Sequence, residues 1–195
     1  MLDLKFETVI CSLQTWLDSN NRLNLGEPQA AVLVPFIEKK GLPYIVLTLR
    51  SNKLNKHSGQ ISFPGGKVDK SDIDIFSTAL RETEEEIGID RRNVNILGLF
   101  DDFFTPYYSS VTPVIAKMSR TSYRLSEDEI EEIIEVPVSD LIDPKIYHTE
   151  IWHRDGKDYE IHFYKWYDEN QAKYYDIWGA TAGVLHKLLK IIVWQ

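Results

Sequence analysis

Hydrophobic and polar positions along the chain predict a helix at each end and several strands between them. Residues 4–18 and 177–193 place apolar side chains three and four positions apart, the spacing of amphipathic helices. The β-rich runs 30–37 and 44–49 flank a turn with Gly and Pro, so we expect a hairpin there. The other predicted strands are residues 60–63, 94–100, 111–118, 151–153 and 159–166, with 136–138 a strand or a turn. The pattern is that of an α/β protein.

A further helix is predicted after a glycine-containing turn at residues 63–66. At about 3.6 residues per turn, its apolar side chains fall on one narrow stripe. This stripe consists of Phe76, Leu80, Thr83 and Ile87, flanked by Ile73 and Ala79. We expect it to be buried, with Gly88 ending the helix.

The same helix carries a cluster of carboxylates. Glu82 and Glu86 are four residues apart with Glu85 beside them, and Arg81 is placed to hold Glu85. Like charges at this spacing cost roughly 0.2–0.5 kcal/mol a pair, and acids near a helix C-terminus oppose the helix dipole. A solvated acidic face is one interpretation. The other, favoured by the adjacent glycine turn, is a site for Mg²⁺ or Mn²⁺ bound together with substrate phosphates.

Length and charge indicate a single-domain protein that does not bind nucleic acid or anionic membranes. The 195 residues, 43% of them hydrophobic, indicate a single folded domain. We expect residues 1–27 to form an N-terminal helix and linker that pack on a main domain at 28–195. The net charge of −8 argues against binding to nucleic acid or to an anionic membrane. Basic residues concentrate locally at Arg50, Lys53, Lys56 and His57, which suggests contacts with phosphates.

Cysteine content and hydropathy bear on the compartment. One cysteine, Cys11, excludes an internal disulfide, and its apolar neighbours predict a packed thiol. Charged residues interrupt the N-terminus, and no apolar run approaches the roughly 20 residues that span a bilayer. We therefore expect a cytoplasmic protein without a membrane segment; the sequence does not indicate its oligomeric state.

Residues 66–89 resemble the Nudix box, whose pattern is G-x5-E-x7-R-E-U-x-E-E-x-G-U with U a bulky aliphatic residue. Arg81-Glu82, Glu85-Glu86, Gly88 and Ile89 match it. Thr83 stands where an aliphatic residue is usual. Asp72 replaces the first glutamate, with eight residues instead of seven before Arg81.

The stretch before the box is similar to one branch of that family, the coenzyme A diphosphatases. Their run L-L-T-x-R-S-x-x-L-x-x-H-x-G-Q-[IV]-[AS]-F-P-G-G is matched without gaps by residues 46–66, VLTLRSNKLNKHSGQISFPGG. The resemblance implies an α/β/α sandwich with a mixed sheet and a loop-helix-loop catalytic motif. It also implies metal-dependent hydrolysis of the diphosphate bond of coenzyme A or its thioesters to 3′,5′-ADP and (acyl-)4′-phosphopantetheine. The alternatives are a Nudix hydrolase of another nucleotide diphosphate, such as ADP-ribose or NADH, and an inactive nucleotide-sensing domain.

Roles for individual residues follow from the resemblance. It implies that Arg81, Glu82, Glu85 and Glu86 are catalytic, and that the three glutamates hold the metal together with the Gly65 carbonyl. The general base is left open between Glu85 and a loop acid: Glu129, Glu131 or Glu132.

Substrate contacts are expected from Arg50, whose fork matches phosphate oxygens, and from His57 and Gln60. Asp72 is expected to cap the start of the helix, so that Asp72→Asn would keep most activity. Tryptophans 152, 166 and 178 are expected in the core.

Overall fold

The computed structural model describes residues 4–19, 22–53, 59–105, 110–119 and 122–193. The helices are α1 (Phe6–Ser19), α2 (Ile75–Ile87), α3 (Val138–Leu141) and α4 (Gly179–Val193), with short 3-10 helices at Arg91–Asn93 and Pro144–Ile146. The strands are β1 (Ala30–Lys39), β2 (Leu42–Arg50), β3 (Ile61–Ser62), β4 (Gly65–Lys67), β5 (Val94–Leu99), β6 (Val111–Met118), β7 (Ile130–Pro137), β8 (Tyr147–Arg154), β9 (Lys157–Asp168) and β10 (Lys173–Trp178). None of the helices in these ranges is both long and apolar enough to cross a membrane.

The main sheet is mixed, as expected. Within the described ranges it contains seven strands, with β3-β2-β1-β6-β5 as the main order, β4 bonded to β1 and β7 bonded to β2. β1 and β6 run parallel, with Ala30 opposite Val111, and the other pairings in this sheet are antiparallel. The predicted β1–β2 hairpin is confirmed.

Helices cover both faces of this sheet, which confirms the α/β/α sandwich. Side chains of β1 alternate between the faces because successive residues of a strand point in opposite directions. Leu33 packs in a cluster with Ala79 of α2. Phe36 belongs to the large cluster on the other side, together with Leu13 of α1 and Leu185 of α4.

A separate three-stranded antiparallel sheet, β10-β9-β8, packs against the α4 side of the core. The hairpin expected around residues 154–157 is present as β8 and β9. The last strand differs from expectation, because the closing helix was predicted to begin at 177. Ile177 and Trp178 instead pair with Tyr164 and Phe163 of β9, so α4 begins at Gly179.

Three expectations about burial were wrong. Cys11 lies on the exposed side of α1. Ile73 precedes the first residue of α2 and is 93% exposed, so it is not part of the buried stripe. Trp152 is 43% exposed and Trp178 half-buried, whereas Trp166 is in the core and donates to Asp140 at 2.9 Å.

Candidate active site

Helix α2, which carries the predicted metal ligands, is capped by a side chain at its N-terminus and by a backbone hydrogen bond at its C-terminus. Asp74 accepts a hydrogen bond from the Ser77 N–H at 2.7 Å, which makes Asp74 the N-cap. Gly88 ends the helix in the left-handed region at φ 70°, as predicted, and its N–H donates to Glu84 O at 3.0 Å. The expectation that Asp72 caps the helix was therefore wrong, because that position is taken by Asp74.

Asp72 instead holds Arg81. Two guanidinium nitrogens of Arg81 donate to the two oxygens of Asp72, each at 3.0 Å. The Asp69 N–H and the Thr78 hydroxyl also donate to Asp72 at 2.9 Å. The hydrogen bonds from Arg81 are the main reason why the pKa of Asp72 lies well below its usual range. Asp72 is thus ionised and fixes the direction of the arginine.

From this position Arg81 reaches two of the three predicted metal ligands. It donates to Glu82 at 2.8 Å, to Glu85 at 3.1 Å and to the Lys67 carbonyl at 3.0 Å. Burial raises the pKa of Glu82, while the Arg81 hydrogen bond acts in the opposite direction. Arg81 therefore links Asp72, which precedes the helix, to Glu82 and Glu85 on the helix. The spacing of residues in the sequence motif does not reveal the contact with Asp72.

Glu86 is the most buried carboxylate of the site, with 2% of the residue exposed. It accepts the Gly65 N–H at 3.0 Å and faces Arg50 Nη1 at 3.2 Å. Burial raises the pKa of Glu86 to about 7, with smaller contributions from the charges of Glu82 and Glu129. The Gly65 hydrogen bond and the Arg50 charge lower it in part.

Both glycines of the turn lie at close approaches, which are to a side chain at Gly66 and to backbone at Gly65. A β-carbon on Gly66 would lie 2.4 Å from a Glu82 oxygen, so the absence of a side chain lets the backbone pack against that carboxylate. A β-carbon on Gly65 would lie 2.3 Å from the Ala31 carbonyl oxygen, and the φ of +152° disfavours any other residue. The turn thereby brings Gly65 and Glu86 into direct contact.

The three acids considered as bases were expected on a loop, but Glu131 and Glu132 lie in strand β7, and Glu129 lies in the turn before it. The surroundings of the three carboxylates differ. Glu132 is engaged by Tyr175 and Lys173 of β10. Glu131 accepts from the Asn52 amide at 3.0 Å. The carboxylate of Glu129 accepts no hydrogen bond from any residue in the described ranges, and its charge acts on both Glu82 and Glu86.

The structure places two of the predicted substrate residues beside this centre. Arg50 lies at the end of β2 against Glu86, and its buried Nε has no hydrogen-bond partner within the described chain. The Arg50 N–H donates to the Gln60 carbonyl at 3.0 Å, which brings Gln60 next to Arg50. His57 and Lys56 lie outside the described residues.

A cavity of about 540 Å³ adjoins the exposed side of the site. Its lining includes Arg81 and Glu85 and two residues that were not predicted to belong to the site, Arg91 and Arg124. These arginines come from segments outside the box, so only the fold places them beside the glutamates. Arg91 pairs with Glu84 at 3.5 Å, with both side chains substantially exposed.

The donor set suits a hard divalent cation, although the carboxylates are not grouped around a common point. Among the described residues, no three acidic, histidine or cysteine side chains form a preformed ligand group. Arg81 engages Glu82 and Glu85, while Glu86 turns towards Arg50 and Gly65. The raised pKa of Glu86 reflects burial and like charge, which a cation would offset. The residues therefore suit a hard divalent cation in the chemistry of their oxygens, and Arg81 holds two of the three carboxylates.

The pKa of Glu86 predicts how the stability of the metal-free protein depends on pH. The folded protein binds this proton more tightly than the unfolded chain, because the pKa rises from 4.5 to about 7 on folding. The resulting stabilisation is complete at low pH and is lost as pH rises through this window, by up to roughly 3 kcal/mol. We expect Glu86→Gln to flatten this part of the stability profile, measured by urea unfolding with excess chelator. An unchanged profile would contradict the assignment.

Comparisons with known proteins agree with the geometry. The sequence pattern of the NUDIX domain matches residues 27–188. The "Uncharacterized Nudix hydrolase NudL" of Escherichia coli (strain SMS-3-5 / SECEC) is 37% identical over 171 residues, covering 86% of this chain and 84% of that protein. The protein of the same name from Klebsiella pneumoniae (strain 342) is 33% identical and covers 95% of this chain and 93% of its own length. Among solved structures, a C. elegans Ap4A hydrolase binary complex is 27% identical, with a TM-score of 0.50 over 58% of this chain and 83% of that chain.

Proposed function

Because this chain belongs to the Nudix family of hydrolases, we propose that it is a metal-dependent, cytoplasmic coenzyme A diphosphatase. Its substrates are coenzyme A or the thioesters, and its products are 3′,5′-ADP and (acyl-)4′-phosphopantetheine. The observation that carries the proposal is the position of the coenzyme A-type run at residues 46–66. The run begins in β2 and ends at Gly66, and two of its residues, Arg50 and Gly65, contact the buried Glu86.

The residues at the site account for the requirements of diphosphate hydrolysis. A bound divalent cation supplies charge neutralisation at the diphosphate, and Glu82, Glu85, Glu86 and Gly65 are the residues that would hold it. Arg50 then directs its guanidinium fork at a phosphate, since its Nε is unpaired within the described chain.

For the base, the surroundings favour Glu129 over Glu85. Glu85 is held by Arg81 at 3.1 Å. The Glu129 backbone carbonyl accepts the Ser51 N–H at 2.8 Å, but its carboxylate accepts no hydrogen bond within the described residues, so we assign to it the proton of the attacking water. The intact Arg81 network disfavours the inactive nucleotide-sensing alternative, because a sensing domain has no need to fix these carboxylates.

Removing Arg50 is expected to weaken hydrolysis without removing it. Arg50→Ala should lower kcat/KM for coenzyme A by about 10- to 150-fold, the equivalent of a lost charged hydrogen bond of roughly 1.5–3 kcal/mol. The matched control is Lys53→Ala, because Lys53 is an exposed neighbour whose ammonium group pairs with Asp128 at 3.6 Å. Equal losses in both variants would show that general positive charge, and not contact by Arg50, is what matters.

The substrate assignment is tested by comparing four compounds with Mg²⁺ present and identifying the products by mass. Coenzyme A should be cleaved faster than NADH and ADP-ribose, and dephospho-coenzyme A more slowly than coenzyme A. Equal rates for coenzyme A and its dephospho form would transfer recognition to the pantetheine arm. Equal rates for coenzyme A and ADP-ribose would replace the proposal by that of a general nucleotide diphosphate hydrolase.

A further inference from the structure

The outer face of the β10-β9-β8 sheet is rich in aromatic side chains. Trp152, Phe163 and Trp178 contact one another with ring centroids 5.7 to 6.3 Å apart. Tyr167 and Tyr174 form a second pair, at 4.7 Å, further along the same face. Most of these rings are partly exposed, with Trp152, Tyr167 and Tyr174 each over 40% accessible. Clustered exposed aromatic residues on one face are typical of an interaction surface.

The edge of the same sheet is open. β8 is the last strand in the order β10-β9-β8, and no strand within the described ranges pairs with its other side. Every residue of β8 after Tyr147 is exposed. An eight-residue edge strand offers unpaired backbone N–H and C=O groups to another strand. The open edge and the aromatic face meet at Trp152.

Charges along this edge complement the same edge of a second copy. On the outer face, Glu150 and Arg154 lie two residues on either side of Trp152. When two β8 strands pair antiparallel with Trp152 opposite Trp152, Glu150 of each copy lies opposite Arg154 of the other. Centring the pair on Glu150 would oppose two carboxylates. Centring it on Ile151 would place His148 opposite Arg154 and leave Glu150 opposite a tryptophan.

The local contacts of these side chains leave them available for such pairing. Arg154 contacts Asp155 at 3.6 Å, and both side chains are more than two-thirds exposed. Glu150 accepts from its own face neighbour Trp152 at 2.8 Å and remains half-exposed. Exposed pairs of this kind contribute little and exchange readily.

We propose that the chain forms a symmetric homodimer through edge-to-edge pairing of β8, centred on Trp152. The two three-stranded sheets join into one continuous sheet, and the aromatic faces become continuous across the twofold axis. The interface is isologous, so each copy supplies the same two charged residues, Glu150 and Arg154. It lies on the second sheet, apart from the α2 site, and is independent of the substrate proposed for that site.

Sedimentation and light scattering of the full chain test this arrangement through charge reversal. The wild type should be dimeric, and Glu150→Arg and Arg154→Glu should each weaken dimerisation by at least about tenfold, because each opposes like charges. The double variant restores both pairs and should dimerise like the wild type. An equimolar mixture of the two single variants should form a heterodimer, because the arginines of one chain then face the glutamates of the other.

The control is Lys157→Glu, which makes the same change of charge as Arg154→Glu on the inner strand of the same hairpin and should leave the dimer intact. Circular dichroism and hydrolase activity show that each variant is folded. A monomeric wild type would overturn the proposal. A dimer that is unaffected by the single reversals, or single variants that do not recover on mixing or in the double variant, would overturn it equally.

Discussion

Glu86→Gln is expected to lower turnover by about three orders of magnitude while leaving the protein folded. Charge neutralisation by a metal at a phosphoanhydride contributes several kcal/mol to the transition state, and about 1.4 kcal/mol corresponds to a factor of ten. Glutamine keeps an oxygen that can accept the Gly65 N–H, observed at 3.0 Å from Glu86, but it lacks the charge that a cation requires. Glu82→Gln and Glu85→Gln should also abolish most turnover.

Steady-state kinetics with a matched variant on the same helix make this test specific. Glu84→Gln removes one charge from α2 at a side chain that pairs with Arg91 and is not one of the predicted metal ligands. It should retain nearly full activity. Excess chelator should inactivate the wild type, and wild-type turnover in its presence would refute the metal requirement. Glu86→Gln activity close to that of Glu84→Gln would refute the role of Glu86.

Arg81→Ala is expected to produce the largest loss of stability among the site variants, about 3–5 kcal/mol. Asp72 is almost fully buried, with 4% of its side chain exposed, and Arg81 is its counter-charge. Removing the arginine leaves a buried carboxylate without its counter-charge, although the hydrogen bonds from the Asp69 N–H and the Thr78 hydroxyl are retained. This structural finding also reverses the sequence-based expectation for Asp72→Asn, which should now destabilise the protein, because an amide cannot replace the charge that Arg81 pairs with.

Urea unfolding of a double-mutant cycle measures this coupling. If Asp72 and Arg81 stabilise each other, the double variant Asp72→Ala/Arg81→Ala should lose less free energy of unfolding than the sum of the single losses. Arg91→Ala serves as the control, since it removes an exposed arginine from a surface ion pair and should cost under about 1 kcal/mol. Additive losses, or an Arg81→Ala loss no larger than that of Arg91→Ala, would contradict the assigned role.

Local sequence signals predicted most of α2 and the residues around it. The helical spacing identified Ile87 and Thr83 as buried, and Thr83 satisfies its hydroxyl by donating to Ala79 O at 2.7 Å. The prediction of Asp72 as the cap failed because Asp74, which was not considered, is also acidic and lies next to the first residue of α2. The contact of Asp72 with Arg81 is made in the folded structure. The roles proposed for Glu82, Glu85, Glu86 and Arg50 in catalysis stay predictions until the variants are measured.

The second sheet and the cavity arginines were less predictable. In β10, tyrosines are followed by Ile177 and Trp178, which directly precede an apolar helix, so the pattern assigned these two residues to the helix. In the structure they pair with the preceding strand, β9. Trp152 was assigned to the core because large aromatic residues usually are buried, but its strand lies at an edge. Arg91 and Arg124 are ordinary charged residues in the sequence, and no local pattern predicts that they line the cavity beside Glu85.

The parallel pairing of β1 with β6 has a consequence for the order of folding. Ala30 meets Val111 only after a long intervening segment, which contains the whole of α2, has closed into a loop. Closing such a loop costs chain entropy before its contacts are gained, so this pairing is expected to form slowly. The apolar stripe of α2 packs on β1 and β6, so the contacts of Glu86 with Gly65 and Arg50 are expected to form late. Divalent cations should then slow unfolding more than they speed refolding, because they bind a site that the transition state has not yet assembled.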